Sequence, residues 1–153
     1  MIEVSWAVGE ALVPDEVIRE AAEAALEEGG RAGVVLSVVF VGEEELRSMH
    51  DERLGDPEPT DVMSFDLGGS EQHEGGAAGE LYISVDRARE VAAELGVEPL
   101  RELLLYVIHG TLHLCGHDDH EKSDIEAMRA AEGRVLDRIG QPRDPQRHPV
   151  GGQ

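Results

Sequence analysis

Apolar and polar positions follow two rhythms along this chain. Ile2, Val4 and Trp6 fall on one side of a two-residue repeat and predict a first strand over residues 2–8. Ile18, Ala21, Ala22, Ala25 and Leu26 then recur at helical spacing. Pro14 suits the first turn of that helix, and Asp15 and Glu16 stand where its dipole favours acids. Gly29 and Gly30 stop it. Residues 34–41 are almost wholly apolar and β-branched, which predicts a strand buried on both faces. Strand, helix and strand in that order predict a right-handed parallel unit.

The alternation continues beyond. Leu46, Met49, His50 and Arg53 share one face of a helix over residues 43–53, and Gly55 opens a rigid turn ending at Pro59. Residues 61–67 read as a strand with Met63, Phe65 and Leu67 on one side and Val62, Ser64 and Asp66 on the other. Residues 68–79 are Gly-rich and polar, the pattern of a mobile loop. Leu81, Ile83 and Val85 point inward from the next strand, and Asp86 is placed to cap a helix carrying Ala88, Val91, Ala92 and Leu95. Pro99 starts a long apolar helix that Gly116 ends. Ser123 and Glu126 form a capping box for a last helix reaching residue 139. The order is βαβαββααα, with five helices in a single domain over residues 1–139 and a disordered Pro/Gly-rich tail over residues 140–153.

Composition narrows the picture. A chain of 153 residues with 41% hydrophobic and 3% aromatic residues builds one aliphatic core. Thirteen bases against 33 acids leave a net charge of −20, which excludes a generic basic nucleic-acid coat and a polybasic membrane anchor. The single cysteine, Cys115, permits no internal disulfide and points to a reducing compartment. The longest apolar run of the second half, residues 103–108, is far short of the roughly 20 residues of a membrane span. Met1-Ile2-Glu3 does not read as a signal peptide. The expectation is a cytoplasmic protein with no membrane partner.

The chemistry concentrates in His109-Gly-Thr-Leu-His113-Leu-Cys-Gly-His117-Asp-Asp-His120. His109 and His113 are four apart, so a helix presents both from one face on successive turns. The preceding turns are apolar, and two imidazoles on a buried helix need a polar partner or a metal. Gly110 lets a neighbouring backbone come close, and Gly116 turns the chain back so that His120 or His117 can close a site. Three imidazoles with an open position describe a catalytic zinc site rather than a closed structural one. Cys115 lies about 200° round the helix from His113 at ~100° per residue and belongs to the core. Gly110 stands where a zinc-protease helix carries its general-base Glu, so the helix supplies no base for peptide hydrolysis.

This segment resembles the YbeY family of bacterial endoribonucleases, whose pattern is His-Gly-x-Leu-His-Leu-x-Gly, an aromatic or His, Asp, then His. Pro59-Thr60-Asp61-Val62-Met63-Ser64-Phe65 and Gly79-Glu80-Leu81-Tyr82-Ile83-Ser84 resemble two further motifs of that family. The resemblance implies an α+β fold, a four-stranded mixed sheet packed against about five helices. It places one zinc ion per chain at the C-terminal end of the buried helix. It implies metal-dependent cleavage of single-stranded RNA, in maturation of the 3′ end of small-subunit ribosomal RNA and in ribosome quality control. The RNA would be presented on the small subunit, with ribosomal proteins as possible partners. Carried over, His109 and His113 are metal ligands.

Two positions depart from the pattern. Asp119 stands where the family has its third His, and His120 comes one place later, so an extra residue bulges and His120 is the expected third ligand, with His117 and Asp119 as alternatives. The family arginine upstream of Thr60 falls at Leu54. Arg53 beside it is the expected catalytic phosphate clamp. The residues leave open whether activated water or the 2′-hydroxyl attacks. They also leave open a metal-dependent hydrolase of another bond, such as a peptide, and a non-catalytic zinc-containing ribosome-associated module.

Overall fold

A computed structural model of the chain describes residues 1–56, 60–68, 77–118 and 120–143. Among these residues the elements are β1 (Ile2–Trp6), α1 (Asp15–Glu28), β2 (Leu36–Val41), α2 (Glu43–Leu54), β3 (Val62–Asp66), β4 (Gly79–Ser84), α3 (Val85–Leu95), α4 (Pro99–Leu114) and α5 (Lys122–Arg138). This is the expected order, and the fold is α+β. The strands form one mixed sheet in the order β1-β2-β4-β3, parallel except for β3, which runs antiparallel to β4. β3 is thereby an edge strand. Its alternation sends Val62 to the main core and Met63 to a smaller cluster with Leu46 of α2 and Val41. Helices α4 and α2 therefore flank β3 on opposite faces.

The main core lies between the sheet and helices α1, α4 and α5. Leu36, Val38, Phe40, Leu81 and Ile83 meet the expected α1 stripe and the run Leu103–Ile108, each at 0–3% exposure. Each buried Val, Leu, Ile or Phe among them contributes about 1.5–3 kcal/mol relative to exposure. Trp6 stacks on Phe40 with ring centroids 4.0 Å apart, and its indole N–H donates to Asp15 at 2.9 Å. The expectation that β2 is buried on both faces is corrected. Leu36, Val38 and Phe40 are buried, but Ser37 and Val39 are partly exposed because α2 covers only part of the second face.

The helix starts also differ from expectation. Pro14 is the residue before α1, with extended backbone. Ser84, not Asp86, caps α3 by accepting the Arg87 N–H at 3.1 Å. Asp86 instead accepts the Glu43 N–H at 2.7 Å, closing the start of α2, where Gly42 has no side chain to do so. The Ser123 capping box does not form, since α5 already begins at Lys122. β1 and β2 are each shorter than their apolar runs, because pairing covers only Ile2–Trp6 and Leu36–Val41.

Arg101 and Glu102 are buried in the first turns of α4 and pair at 3.3 Å. Arg101 also donates to the Pro142 carbonyl at 3.0 Å, so residues 140–143 fold back on the helices. The rest of the expected tail (144–153), most of the expected loop (69–76), the turn residues 57–59 and Asp119 lie outside the described residues. Among the described residues no helix is long and apolar enough to cross a membrane.

Candidate active site

Helix α4 ends in a double turn of hydrogen bonds. The Gly116 N–H donates to the His113 carbonyl at 3.1 Å, and the His117 N–H to the Leu112 carbonyl at 3.1 Å. Gly116 accepts this geometry at φ 105°, in the left-handed region that L residues rarely adopt. The chain is thrown back across the helix end, as the Gly116 signal predicted. His109 and His113 stay on one face of α4, and the returning segment carries His120 to the same cleft.

That cleft has a volume of about 490 Å³ and straddles the edge strand. Helix α2 contributes His50, Arg53 and Leu54 to its wall, and β3 contributes Val62 to Phe65. His109, His113 and His120 supply the remaining wall. Every expected site residue within the described set thus meets in one place, although 67 positions separate Arg53 from His120 in sequence. His117, the alternative ligand, is half-buried and does not line the cleft. Among the described residues of this wall none is Asp or Glu. In a chain of net charge −20 that absence is a strong local departure.

His109 is only 5% exposed, and its Nδ1 lies 2.7 Å from a carboxylate oxygen of Glu132, itself 6% exposed on α5. Glu132 carries a role that the sequence reading missed. The available signal was an acid beside the apolar stripe of Met128, Ala131, Val135 and Leu136. A carboxylate on Nδ1 fixes the ring and its tautomer, and makes Nε2 the nitrogen with which the ring could ligate a metal. His113 and His120 are exposed, and the His120 Nε2 lies 3.3 Å from Asp118, with 71% of the imidazole exposed. Among the described residues no three His, Cys, Asp or Glu side chains converge closely enough, as placed, to hold a metal ion.

Gly110 has the close approach expected of it, but to side chains rather than to backbone. A Cβ there would stand 2.9 Å from Leu81 and 3.1 Å from Val62. The Ser64 hydroxyl donates to the Gly110 carbonyl at 3.3 Å and ties β3 to α4. Arg53 lies over the Phe65 ring at 5.2 Å, a cation–π contact that holds the guanidinium at the cleft wall. His50 is buried one turn before it. Asp61 does not line the cleft and pairs with Arg87 of α3 at 3.4 Å. Desolvation opposes that guanidinium's charge, yet the nearby Asp61 carboxylate leaves its pKa raised. Cys115 packs on Gly29 at the end of α1 and is half-buried, the core role expected of it.

Comparison with known proteins agrees with this architecture. The family model for Endoribonuclease YbeY matches residues 10–140. A protein named Endoribonuclease YbeY from Carboxydothermus hydrogenoformans is 37% identical over 124 residues, covering 81% of this chain and 85% of its own. The protein of the same name from Geobacillus thermodenitrificans is 38% identical over 136 residues, covering 82% and 84%. The solution structure of TM1509 from Thermotoga maritima superposes with a TM-score of 0.58 at 26% identity, covering 96% of this chain and all of that one. With its motifs, its sheet order and this match over most of its length, the chain belongs to the endoribonuclease YbeY family.

Proposed function

We propose that this chain is a zinc-dependent, single-strand-specific endoribonuclease whose reaction takes place in the cleft between α2, β3 and α4. Its role would be maturation of the 3′ end of small-subunit ribosomal RNA and ribosome quality control, with the RNA presented on the small subunit. Relatives spanning most of the chain bear the name of an endoribonuclease, which supports cleavage of RNA. The observation that carries the reading is the composition of the cleft wall. Four imidazoles (His50, His109, His113 and His120) and one guanidinium gather there, with no carboxylate among the described wall residues of a strongly acidic chain.

The donor set fits zinc. His109 and His113 are on one helix face, His109 is oriented by Glu132, and His120, which lines the same cleft, would close the set. The exposure of His120 lets its side chain exchange Asp118 for a metal within the cleft that it lines. A zinc ion held there supplies Lewis-acid stabilisation of a phosphoryl oxygen and activation of water near neutral pH. Arg53 offers planar paired donors to a phosphate oxygen, a task for which an ammonium is a poor substitute. Glu132 keeps a proton on Nδ1 of His109 and balances charge behind it. Leu54, 63% exposed at the same wall, brings no charge. Arg53 therefore acts as the phosphate clamp.

Zinc content by elemental mass spectrometry tests the assignment. About one zinc per wild-type chain is expected, with loss of tight binding in both His109→Ala and His113→Ala. Full retention of zinc by both variants would overturn it.

A further inference from the structure

The second face of the sheet is only partly covered, and the cleft opens onto it. Phe65 and Tyr82 lie there, both partly exposed, with ring centroids 5.7 Å apart and planes at 81°. The strand register explains the meeting. Met63 pairs with Tyr82 and Phe65 with Glu80, so Phe65 and Tyr82 are diagonal neighbours on one face. Arg53 lies over the Phe65 ring at 5.2 Å. Arg53 and Phe65 line the cleft, and Tyr82 carries the aromatic surface beyond it. Aromatics are 3% of this chain, so two partly exposed rings in contact at the mouth of the cleft are a concentrated feature.

We infer that Phe65 and Tyr82, with Arg53 beside them holding the adjoining phosphate, form a stacking platform for an unpaired nucleobase of the RNA strand, next to the nucleotide held in the cleft. The inference rests on the RNA-cleaving reading of that cleft. Guanidinium and aromatic planes both stack on bases, and strand aromatics on an open sheet face are a recurrent way of holding single-stranded RNA. Charge favours a base over the phosphate backbone at the outer end. The Glu80 carboxylate lies near the Tyr82 hydroxyl there and repels phosphate, while the only guanidinium of the trio faces the cleft. The strand would therefore pass with its phosphates towards Arg53 and its base towards the rings. Such a platform is sequence-tolerant, because every base has a π face. It also grips RNA through base contacts, which suits a chain of net charge −20.

The test is binding of a fluorescent single-stranded RNA decamer, followed by anisotropy at fixed salt. Its counterpart is the same backbone with abasic sites in the central positions. Wild-type protein should bind the base-bearing strand roughly 5- to 100-fold more tightly. Tyr82→Leu keeps apolar bulk against Met63 and Val39 but removes the ring, and should lose most of that difference. Tyr82→Phe should retain it. Thermal unfolding checks that each variant is folded, and bound zinc should be unchanged in all of them. Equal affinity of wild type for both strands, or full base dependence in Tyr82→Leu, would overturn the platform. If RNA is still cleaved in that case, the endoribonuclease reading survives and the aromatic face is a surface for something else, such as a protein. Absence of both RNA binding and cleavage would instead defeat that reading and the platform with it.

Discussion

Nδ1 of His109 and a carboxylate oxygen of Glu132 are 2.7 Å apart, both side chains almost wholly buried between α4 and α5. Two helices are thereby joined at the point where the proposed ligand leaves the core. The pair explains how a polar imidazole is tolerated directly after the buried run Leu103–Ile108, since buried polar groups must be partnered. It also fixes which nitrogen faces the cleft.

Removing the carboxylate's charge should therefore weaken metal binding without removing a ligand. Glu132→Gln keeps a hydrogen-bonding group and similar volume, and should reduce zinc affinity by about 10- to 100-fold. Competition against a chromophoric chelator measures this. Unchanged affinity in a folded Glu132→Gln protein would mean that Glu132 serves packing alone.

The third ligand is separable from its neighbour by substitution. His120→Ala should lose tight zinc binding and RNA cleavage, whereas His117→Ala should keep most of both, because His117 does not line the cleft. Paired zinc and activity measurements check this. The reverse pattern would assign the ligand to His117.

Much of this site was legible in the sequence, and the parts that were not share a cause. The i, i+4 spacing of His109 and His113 and the Gly116 stop are local signals, and they place two imidazoles and a reversal correctly. The contribution of Arg53 follows from its position on the face shared with Leu46 and His50. Glu132 and Asp86 were missed as partners because each acts on another element, 23 and 43 residues away in sequence. A lone acid on a helix reads as solvated until the neighbouring helix is placed. The Ser123 box failed for the opposite reason. Its local signal was sound, but the helix starts two residues earlier, with Glu121 rather than Ser123 before its first turn.

Packing at Gly110 yields a stability prediction. The Cβ added by Gly110→Ala would stand 2.9 Å from Leu81 and 3.1 Å from Val62, both buried. Overpacking of this kind costs about 1–3 kcal/mol, more than the helix propensity gained from alanine. Chemical denaturation should show a lower midpoint with an unchanged slope. A stabilised Gly110→Ala protein would show that the Leu81 and Val62 side chains yield without strain.

Burial raises the pKa of the Cys115 thiol, with the nearby Arg31 charge opposing it. The thiolate is the reactive form, so the folded chain should alkylate more slowly with iodoacetamide at pH 8 than the chain unfolded in denaturant. The sign for stability follows. The contribution of a raised pKa is complete below the unfolded value and is lost as pH rises through the folded one, so Cys115 favours folding least at alkaline pH. Equal alkylation rates in the two states would place the thiol in open solvent.

The central claim is that the cleft cuts RNA through a metal held by its histidines. Its most direct test is cleavage of a single-stranded RNA by the purified chain, with and without chelator, beside His109→Ala and Arg53→Ala. Wild type should cleave, lose activity with chelator and regain it with zinc. His109→Ala should be inactive and zinc-poor. Arg53→Ala should hold zinc normally and cleave slowly. Cleavage that persists in chelator or in zinc-free His109→Ala, or hydrolysis of peptide with no cleavage of any RNA, would contradict the account.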